Sequence, residues 1–262
     1  MDIKLIALDL DDTLLDEKRR ITPVVKQAIA EATEAGILVV LASGRMLPSA
    51  MPIHTALELK SPLICCNGAY VCHPDGEVIF RCPIDRETSN TVIDYARANG
   101  LYIQYYVGND YFYETPGEES ALYEKLSAVH GIHIDDLAAL ETGSDKLLMI
   151  RLPNVDREIE EAKVAFPSLS IARSKAFYIE INNPGATKGA ALEALAKHYG
   201  FTKDQVMAIG DGTNDLPMLE YAGASVAMGN AVDEVKAACK FMTTSCNEDG
   251  VAKAIYKLAL NK

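Results

Sequence analysis

A short apolar run near the start of the chain ends on a cluster of carboxylates, and this feature constrains the fold more than any other. Residues 4–8 read Lys-Leu-Ile-Ala-Leu, and residues 9–13 continue as Asp-Leu-Asp-Asp-Thr. An apolar run of this length between polar residues is typical of a buried strand in a parallel sheet. Because open α/β sheets bind their ligands beyond the carboxyl ends of their strands, the carboxylates indicate a site at this sheet edge.

Asp9 and Asp11 are predicted to point to the same side of the chain. Side chains along an extended strand alternate with a period of two, so Leu10 and Asp12 would take the other side. Two carboxylates this close either share a cation or raise the pKa of one of them. Mg²⁺ prefers carboxylate oxygens and keeps several waters, so it is the natural cation here. Taken alone, however, the Asp-Asp-Thr sequence could equally open an ordinary loop, since Asp and Thr are common turn and helix-capping residues.

A second apolar run with a polar end follows one helix later. The pair Thr22-Pro23 predicts the start of that helix, and residues 37–41 form the next buried strand. A strand, helix and strand of this size form a right-handed crossover, so the two strands lie side by side. Ser43 and the backbone amides around Gly44 could then bind an anion, although a Ser-Gly pair is also common in plain turns.

The crossover pattern resumes near residue 187. Lys188 opens a predicted helix, and residues 205–209 form another apolar run, which is followed by Gly-Asp-Gly-Thr-Asn-Asp. A second carboxylate pair, Asp211 and Asp215, therefore follows a parallel strand. The polar groups collected at strand ends are Asp9, Asp11, Ser43, Lys188, Asp211, Asn214 and Asp215. Each has an ordinary explanation alone, but together they supply the groups that a phosphoryl group and a divalent cation need.

Residues 84–187 follow a different pattern, in which helices alternate with predicted hairpins. We therefore predict an α/β protein with a Rossmann-like parallel-sheet core domain, formed by residues 1–83 and 188–262, and an inserted α+β domain, residues 84–187. Five of the twelve tyrosines lie in the segment 102–113 of the insert. They could line a substrate pocket, but cross-strand pairs and core positions of the inserted sheet are favoured.

Composition and charge exclude several classes of function. The net charge of −12 disfavours a broad nucleic-acid surface, because phosphate backbones are bound through an excess of Lys and Arg. No apolar stretch approaches the ~20 residues of a membrane span, and the first residues lack the layout of a signal peptide. We therefore expect a cytoplasmic protein that binds neither nucleic acid nor membrane.

Four short motifs occur in a characteristic order. They are Asp9-Leu10-Asp11-Asp12-Thr13, Leu41-Ala42-Ser43-Gly44-Arg45, Lys188-Gly189 and Gly210-Asp211-Gly212-Thr213-Asn214-Asp215. The set resembles the haloacid dehalogenase superfamily, specifically the Cof-type Mg²⁺-dependent phosphatases that carry a large inserted cap of the C2B type. The resemblance covers essentially the whole chain, including Asn67-Gly68-Ala69. One departure is Asp12, where many relatives have glycine.

The resemblance implies a role for each of these residues. Asp9 is the nucleophile that forms an aspartyl-phosphate. Asp11 is the general acid and base, a role that calls for a raised pKa in a crowded acidic site. The implied Mg²⁺ ligands are Asp9, the backbone carbonyl of Asp11, Asp211 and Asp215, the last directly or as support. The implied phosphate-binding residues are Ser43, Gly44, Lys188 and Asn214. The inserted cap closes over the site and selects the leaving group.

The resulting expectation is a phosphatase that hydrolyses small phosphomonoesters, with sugar phosphates favoured. Its partner would be a small phosphorylated metabolite, and the chain would be a monomer or a weak homodimer. Three other readings compete. A phosphomutase of the same fold would return the phosphoryl group to a sugar. A response-regulator receiver domain would use a similar set of residues for signalling. A metal-dependent sensor would bind a sugar phosphate without turnover.

Overall fold

The computed structural model describes residues 1–262. Its strands are β1 (Leu5–Leu8), β2 (Leu38–Ala42), β3 (Leu63–Cys65), β4 (Tyr70–Cys72), β5 (Val78–Arg81), β6 (Tyr102–Val107), β7 (Asp110–Tyr113), β8 (Ile132–His133), β9 (Lys146–Ile150), β10 (Ser170–Lys175), β11 (Tyr178–Asn182), β12 (Val206–Gly210), β13 (Ala224–Ala227) and β14 (Phe241–Met242). Its α-helices are α1 (Pro23–Glu34), α2 (Leu47–Ala56), α3 (Arg86–Ala98), α4 (Glu118–Ser127), α5 (Asp156–Ala165), α6 (Lys188–His198), α7 (Leu216–Tyr221), α8 (Asp233–Ala238) and α9 (Gly250–Ala254).

The chain divides into two compact units. The first comprises residues 1–45, 50–80 and 187–262, and the second comprises residues 46–49 and 81–186. These limits describe compactness alone, so the predicted assignment of residues 84–187 to a domain with its own function stays a prediction. None of the helices is long and apolar enough to span a bilayer.

The first unit is built on an eight-stranded sheet with the order β14-β13-β12-β1-β2-β3-β4-β5. Neighbouring strands from β14 to β3 run parallel, and β3 pairs with β4 in the antiparallel sense. Strand β1 lies in the interior of this sheet, where Leu5 pairs with Val206 on one side and with Leu38 on the other. All four residues of β1 are buried, as the apolar run predicts. The predicted α/β fold class with a parallel-sheet core is confirmed.

Helix α1 connects β1 to β2 along the chain, and it begins where the sequence predicts. The hydroxyl of Thr22 accepts a hydrogen bond from the backbone N–H of Val25, and Pro23 occupies the first helical position. A proline does not destabilise the helix at this position, because the N–H that it lacks would have no partner within the helix. Helix α1 buries Ala28, Ile29 and Ala32. The chain then returns to the sheet as β2.

The second unit contains a six-stranded sheet with the order β10-β11-β9-β6-β7-β8. All of its pairs are antiparallel except β7 with β8. One side of the sheet forms a hydrophobic core with α3 and α5, which includes Val92, Ile93, Ile103, Tyr105, Met149, Ile159 and Ile179. The unit is therefore an α+β arrangement, in which α3 and α5 pack on one face of a mainly antiparallel sheet.

Candidate functional site

The site begins where β1 ends. Asp9 continues the sheet for one residue, since its backbone N–H donates to the carbonyl of Ile209 at 3.1 Å. Residues 10–14 then form a compact turn, in which Asp12 has a positive φ of 61°. The side chain of Asp9 is buried, whereas that of Asp11 is 36% exposed. The expected alternation along an extended chain is therefore wrong beyond Asp9, because the backbone turns there.

Lys188 lies between two carboxylates. It is the first residue of α6, whose N-terminus is capped by the Thr187 side chain. Its Nζ atom lies 2.5 Å from Asp9 Oδ1 and 2.5 Å from Asp215 Oδ1, and the residue has no exposed surface. A buried ammonium group of this kind requires paired negative charge.

The turn after β12 supplies the other carboxylates. Asp215 Oδ2 accepts hydrogen bonds from the backbone N–H groups of Asp211 and Gly212, both at 3.0 Å. Thr13 donates its hydroxyl hydrogen to Asp211 Oδ1 at 2.8 Å, so the turns after β1 and β12 are tied together. A Cβ atom at Gly210 would lie 2.6 Å from Asp215 Oδ2, which explains the glycine at this close approach.

The charges of this cluster do not balance when every carboxyl group is ionised. Asp9, Asp211 and Asp215 each offer a carboxylate oxygen, and these atoms lie within 4.8 Å of one another. One lysine therefore faces three carboxylates, which leaves two negative charges in excess when all are ionised. Carboxylate oxygens in this number suit a divalent cation such as Mg²⁺, whose charge would balance the excess. The donor set therefore fits the predicted ion.

The pKa values reflect the same imbalance. Burial raises the pKa of Asp9 to about 7, and the Asp215 carboxylate adds to this effect against the opposing charge of Lys188. Burial also raises the pKa of Asp211 to about 6, although the hydrogen bond from Thr13 opposes the change. Burial alone would lower the pKa of Lys188, but ion pairing with Asp9 and Asp215 outweighs burial and raises it. The lysine is therefore charged and is shared by carboxylates that compete for it.

The carboxylate of Asp11 lies outside this group and is ion-paired. Arg45 donates from Nε to Asp11 Oδ2 at 3.0 Å and from its terminal nitrogen to Oδ1 at 2.5 Å, and Arg19 also contacts Oδ1. The sequence predicts a crowded acidic environment for Asp11. That expectation is wrong for its carboxylate, because the turn at residues 10–14 directs it toward two guanidinium groups.

The predicted phosphate-binding residues lie on neighbouring loops of the first unit. Ser43 is buried, and its hydroxyl oxygen accepts a hydrogen bond from the backbone N–H of Arg45 at 3.2 Å. Gly44 lies under the side chain of Asn67, and the Asn214 amide donates to Asn67 Oδ1 at 3.3 Å. The fourth predicted phosphate-binding residue, Lys188, contacts Asp9 and Asp215.

Sequence reasoning assigned no role to Thr13, Arg45 or Asn67, although each contacts a predicted site residue. Thr13 and Arg45 stand inside the motifs that carry the resemblance. Asn67 follows the short strand β3, and the parallel order of β2 and β3 brings its loop to the same edge of the sheet. Position after a parallel strand was therefore the signal that could have identified it.

The tyrosines of the insert form contacts within their own sheet. Tyr105 belongs to the hydrophobic core of the second unit. Tyr106 and Tyr111 are cross-strand partners with ring centroids 5.7 Å apart, and Tyr102 lies 6.1 Å from Tyr113. The prediction of cross-strand pairs and core positions is confirmed.

Comparisons with known proteins identify the family of the chain. A sequence model of the haloacid dehalogenase-like hydrolase family matches residues 6–255. The chain is 33% identical over 255 residues to a 5-amino-6-(5-phospho-D-ribitylamino)uracil phosphatase of Bacillus subtilis, covering 97% of this chain and 95% of that protein.

Solved structures are similar over nearly the whole length. The crystal structure of TM0651 from Thermotoga maritima has a TM-score of 0.89 at 31% identity and covers 98% of each chain. A haloacid dehalogenase-like hydrolase from Bacteroides thetaiotaomicron has a TM-score of 0.87 at 30% identity, with 98% of this chain and 99% of that chain covered. The chain therefore belongs to the haloacid dehalogenase-like hydrolases, and it is a Cof-type phosphatase of that family.

Proposed function

We propose that this phosphatase hydrolyses small phosphomonoesters, with sugar and polyol phosphates as the favoured class, in a Mg²⁺-dependent reaction. The observation that carries the proposal is the cluster of Asp9, Asp211 and Asp215 around Lys188, which has two negative charges in excess when all three are ionised. A dianionic phosphate would be repelled from such a cluster. Mg²⁺ held by Asp9, Asp211 and the backbone carbonyl of Asp11 would remove this repulsion and polarise the phosphoryl group.

Asp9 is the proposed nucleophile. Lys188 contacts its Oδ1 atom, so Oδ2 is the oxygen that can attack phosphorus. The bond from Oδ2 to phosphorus forms as the bond from phosphorus to the ester oxygen breaks, which gives an aspartyl-phosphate on Asp9. Water then attacks this phosphorus, the bond to Asp9 breaks, and inorganic phosphate leaves.

Asp11 is the proposed general acid and base. It would give its proton to the departing ester oxygen and later take one from the attacking water. Because both of its carboxylate oxygens contact guanidinium groups, the side chain must leave Arg45 and Arg19 before it can donate a proton. The assignment therefore requires a change in the Asp11 side chain when substrate binds.

The remaining groups bind the phosphoryl oxygens in this proposal. Ser43, the backbone of Gly44, Lys188 and Asn214 supply hydroxyl, amide and ammonium donors for developing negative charge. Asp215 is proposed as a supporting residue, since its two oxygens already accept hydrogen bonds from Lys188 and two backbone N–H groups.

Residues 84–187 are the proposed substrate-selecting cap. One face of its sheet carries buried polar groups, among which the Tyr106 hydroxyl donates to Gln104 Oε1 at 2.6 Å. Lys146 lies 4.6 Å from the centre of the Tyr106 ring, and the hydroxyl of Tyr178 is buried without a hydrogen-bond partner. These groups are buried, so they belong to the interior of the cap. The favoured class of substrate is the phosphate of a sugar or polyol. The ribityl phosphate in the name of the Bacillus subtilis relative supports the same class.

Phosphate release from a panel of phosphomonoesters, with and without Mg²⁺, tests the proposal. Wild type is expected to release phosphate only with Mg²⁺, and Asp9→Asn is expected to abolish release and the hydroxylamine-sensitive phosphoryl label. Asp12→Asn makes the same chemical change at an exposed neighbour and is the matched control. Turnover by Asp9→Asn at the wild-type rate, or release that is independent of Mg²⁺, would contradict the mechanism.

A further inference from the structure

Three consecutive residues after β3 adopt left-handed backbone conformations. Cys66, Asn67 and Gly68 have φ values of 51°, 57° and 98°. Two of the three carry side chains, and residues other than glycine rarely adopt this region. We refer to residues 66–68 as the Asn67 loop. Strain of this kind persists only where surrounding contacts hold it, and such positions cluster at functional sites.

Contacts from two sides hold the backbone of the Asn67 loop. The N–H of Cys66 donates to the carbonyl of Arg45 at 2.9 Å, and the N–H of Asn67 donates to the carbonyl of Ser43 at 3.0 Å. A Cβ atom at Gly68 would lie 2.1 Å from the carbonyl oxygen of Thr187, so the loop packs directly against the start of α6. The loop therefore touches the segments that carry Ser43 and Lys188.

The Asn67 side chain extends this connection to a third segment. Its Oδ1 atom accepts a hydrogen bond from Asn214 Nδ2 at 3.3 Å, and it lies 2.9 Å from the position that a Cβ atom of Gly44 would take. One side chain thus contacts both the loop after β2 and the loop after β12.

We propose that Asn67 is a positioning residue that orients the Asn214 amide toward the phosphoryl group. An amide nitrogen carries two N–H groups in one plane, so donation of one to Asn67 fixes the direction of the other. That second N–H is then available to a phosphoryl oxygen at no further cost in side-chain entropy. The inference rests on the proposed phosphatase function, which assigns Asn214 to phosphoryl binding.

The substitution that tests this role is Asn67→Gly, because glycine keeps the left-handed backbone and removes only the side chain. Loss of one oriented hydrogen bond to a charged group is expected to lower kcat/KM by about five- to tenfold and to weaken binding of inorganic phosphate by a similar factor. Asn214→Ala should cause a loss at least as large, because it removes the phosphoryl contact itself. The double variant should be no worse than Asn214→Ala, since Asn67 acts only through Asn214.

Controls separate this role from a structural one. Glu58→Gly places glycine at an exposed residue that also has a positive φ, 53°, and is expected to leave phosphate affinity unchanged. Asn67→Asp keeps an acceptor for Asn214, so Asn214→Ala should still weaken phosphate binding in that background. Thermal unfolding of every variant is measured in parallel.

Two results would overturn the proposal. One is an Asn67→Gly variant whose kcat/KM and phosphate affinity lie within twofold of wild type. The other is a double variant whose losses multiply, because independent effects would mean that Asn67 does not act through Asn214. Calorimetric titration of each variant with inorganic phosphate, in the presence of Mg²⁺, measures the coupling between Asn67 and Asn214 without turnover. A wild type that binds phosphate but hydrolyses no ester would refute the proposed function and leave this measurement intact.

Discussion

Replacing Asp9 by asparagine should stabilise the metal-free protein at alkaline pH. The substitution removes one of two carboxylates that lie 2.5 Å from the Lys188 ammonium group. Burial raises the pKa of Asp9 from 3.8 to about 7. Because one pKa unit corresponds to 1.36 kcal/mol, ionising this carboxyl in the folded protein costs up to about 4 kcal/mol at pH 8. Asparagine avoids this cost and can still accept a hydrogen bond from Lys188, so we expect a gain of about 2 to 4 kcal/mol.

The gain should depend on pH in a defined direction. A carboxyl whose pKa is higher in the folded state binds more protons when folded, so its contribution to stability falls as pH rises. For Asp9 the fall lies between pH 3.8 and about 7, and the contribution is constant above that range. The asparagine variant lacks this titration. The difference in unfolding free energy between variant and wild type should therefore be near zero at pH 4 and reach its full value above pH 7.

Urea unfolding in EDTA, followed by circular dichroism at pH 4.5 and pH 8, measures this difference. Asp215→Asn is the matched control, because Asp215 contacts the same ammonium group but accepts two backbone hydrogen bonds with its other oxygen. An amide nitrogen cannot accept them, so this variant should lose about 1 to 3 kcal/mol. The reasoning is refuted if Asp9→Asn is no more stable than wild type at pH 8 without metal.

Three further predictions concern the ion, its support and the Asn67 loop. Mg²⁺ at about 100 times its Kd should add about 2.7 kcal/mol to the unfolding free energy at pH 8. The gain should be smaller at pH 5, because protons then occupy Asp9 and Asp211. Denaturant titrations that give equal gains at the two pH values would contradict this prediction. Thr13→Val removes the hydrogen bond to Asp211 without changing shape, so the Mg²⁺ concentration for half-maximal activity should rise about fivefold, and an unchanged requirement would exclude this role. Gly68→Ala should lower the free energy of unfolding by more than about 3 kcal/mol, because its Cβ atom would meet the Thr187 carbonyl. Gly36 has a φ of 82° and open space around it, so Gly36→Ala should lower this free energy by only about 1 kcal/mol. Equal costs at the two glycines would rule out the steric explanation.

The sequence predicted most elements of the first unit because buried parallel strands are short, apolar and bounded by polar residues. Helix α2 was missed. Its sequence contains Pro48 and Pro52, and Pro52 lies inside the helix, where the residue normally breaks the hydrogen-bond pattern. The two prolines therefore disfavour a helix on local propensity, although the folded protein forms one. The two-residue strand β8 carries too little pattern to be recognised.

The candidate site could likewise be predicted only in part. The positions of Asp9, Asp211 and Asp215 could be expected because the ends of parallel strands meet at one edge of the sheet. Lys188 instead begins helix α6. The surroundings of Asp11 could not, since they depend on backbone angles in the turn at residues 10–14 and on Arg45 from a later strand end. Periodicity describes a strand only as far as the strand continues.

The strand order of the first unit also determines when the active site can exist during protein synthesis. Strand β1 hydrogen-bonds to β12, whose first residue is Val206, so one side of β1 stays without its partner until that segment leaves the ribosome. At about 5 to 20 residues per second, this interval lasts roughly 10 to 40 s. One edge of the apolar strand β1 is unpaired throughout that time. The enzyme therefore becomes active only after β12 and the turn that carries Asp211 and Asp215 are made, and a chain truncated before β12 would present an unpaired strand edge that favours aggregation.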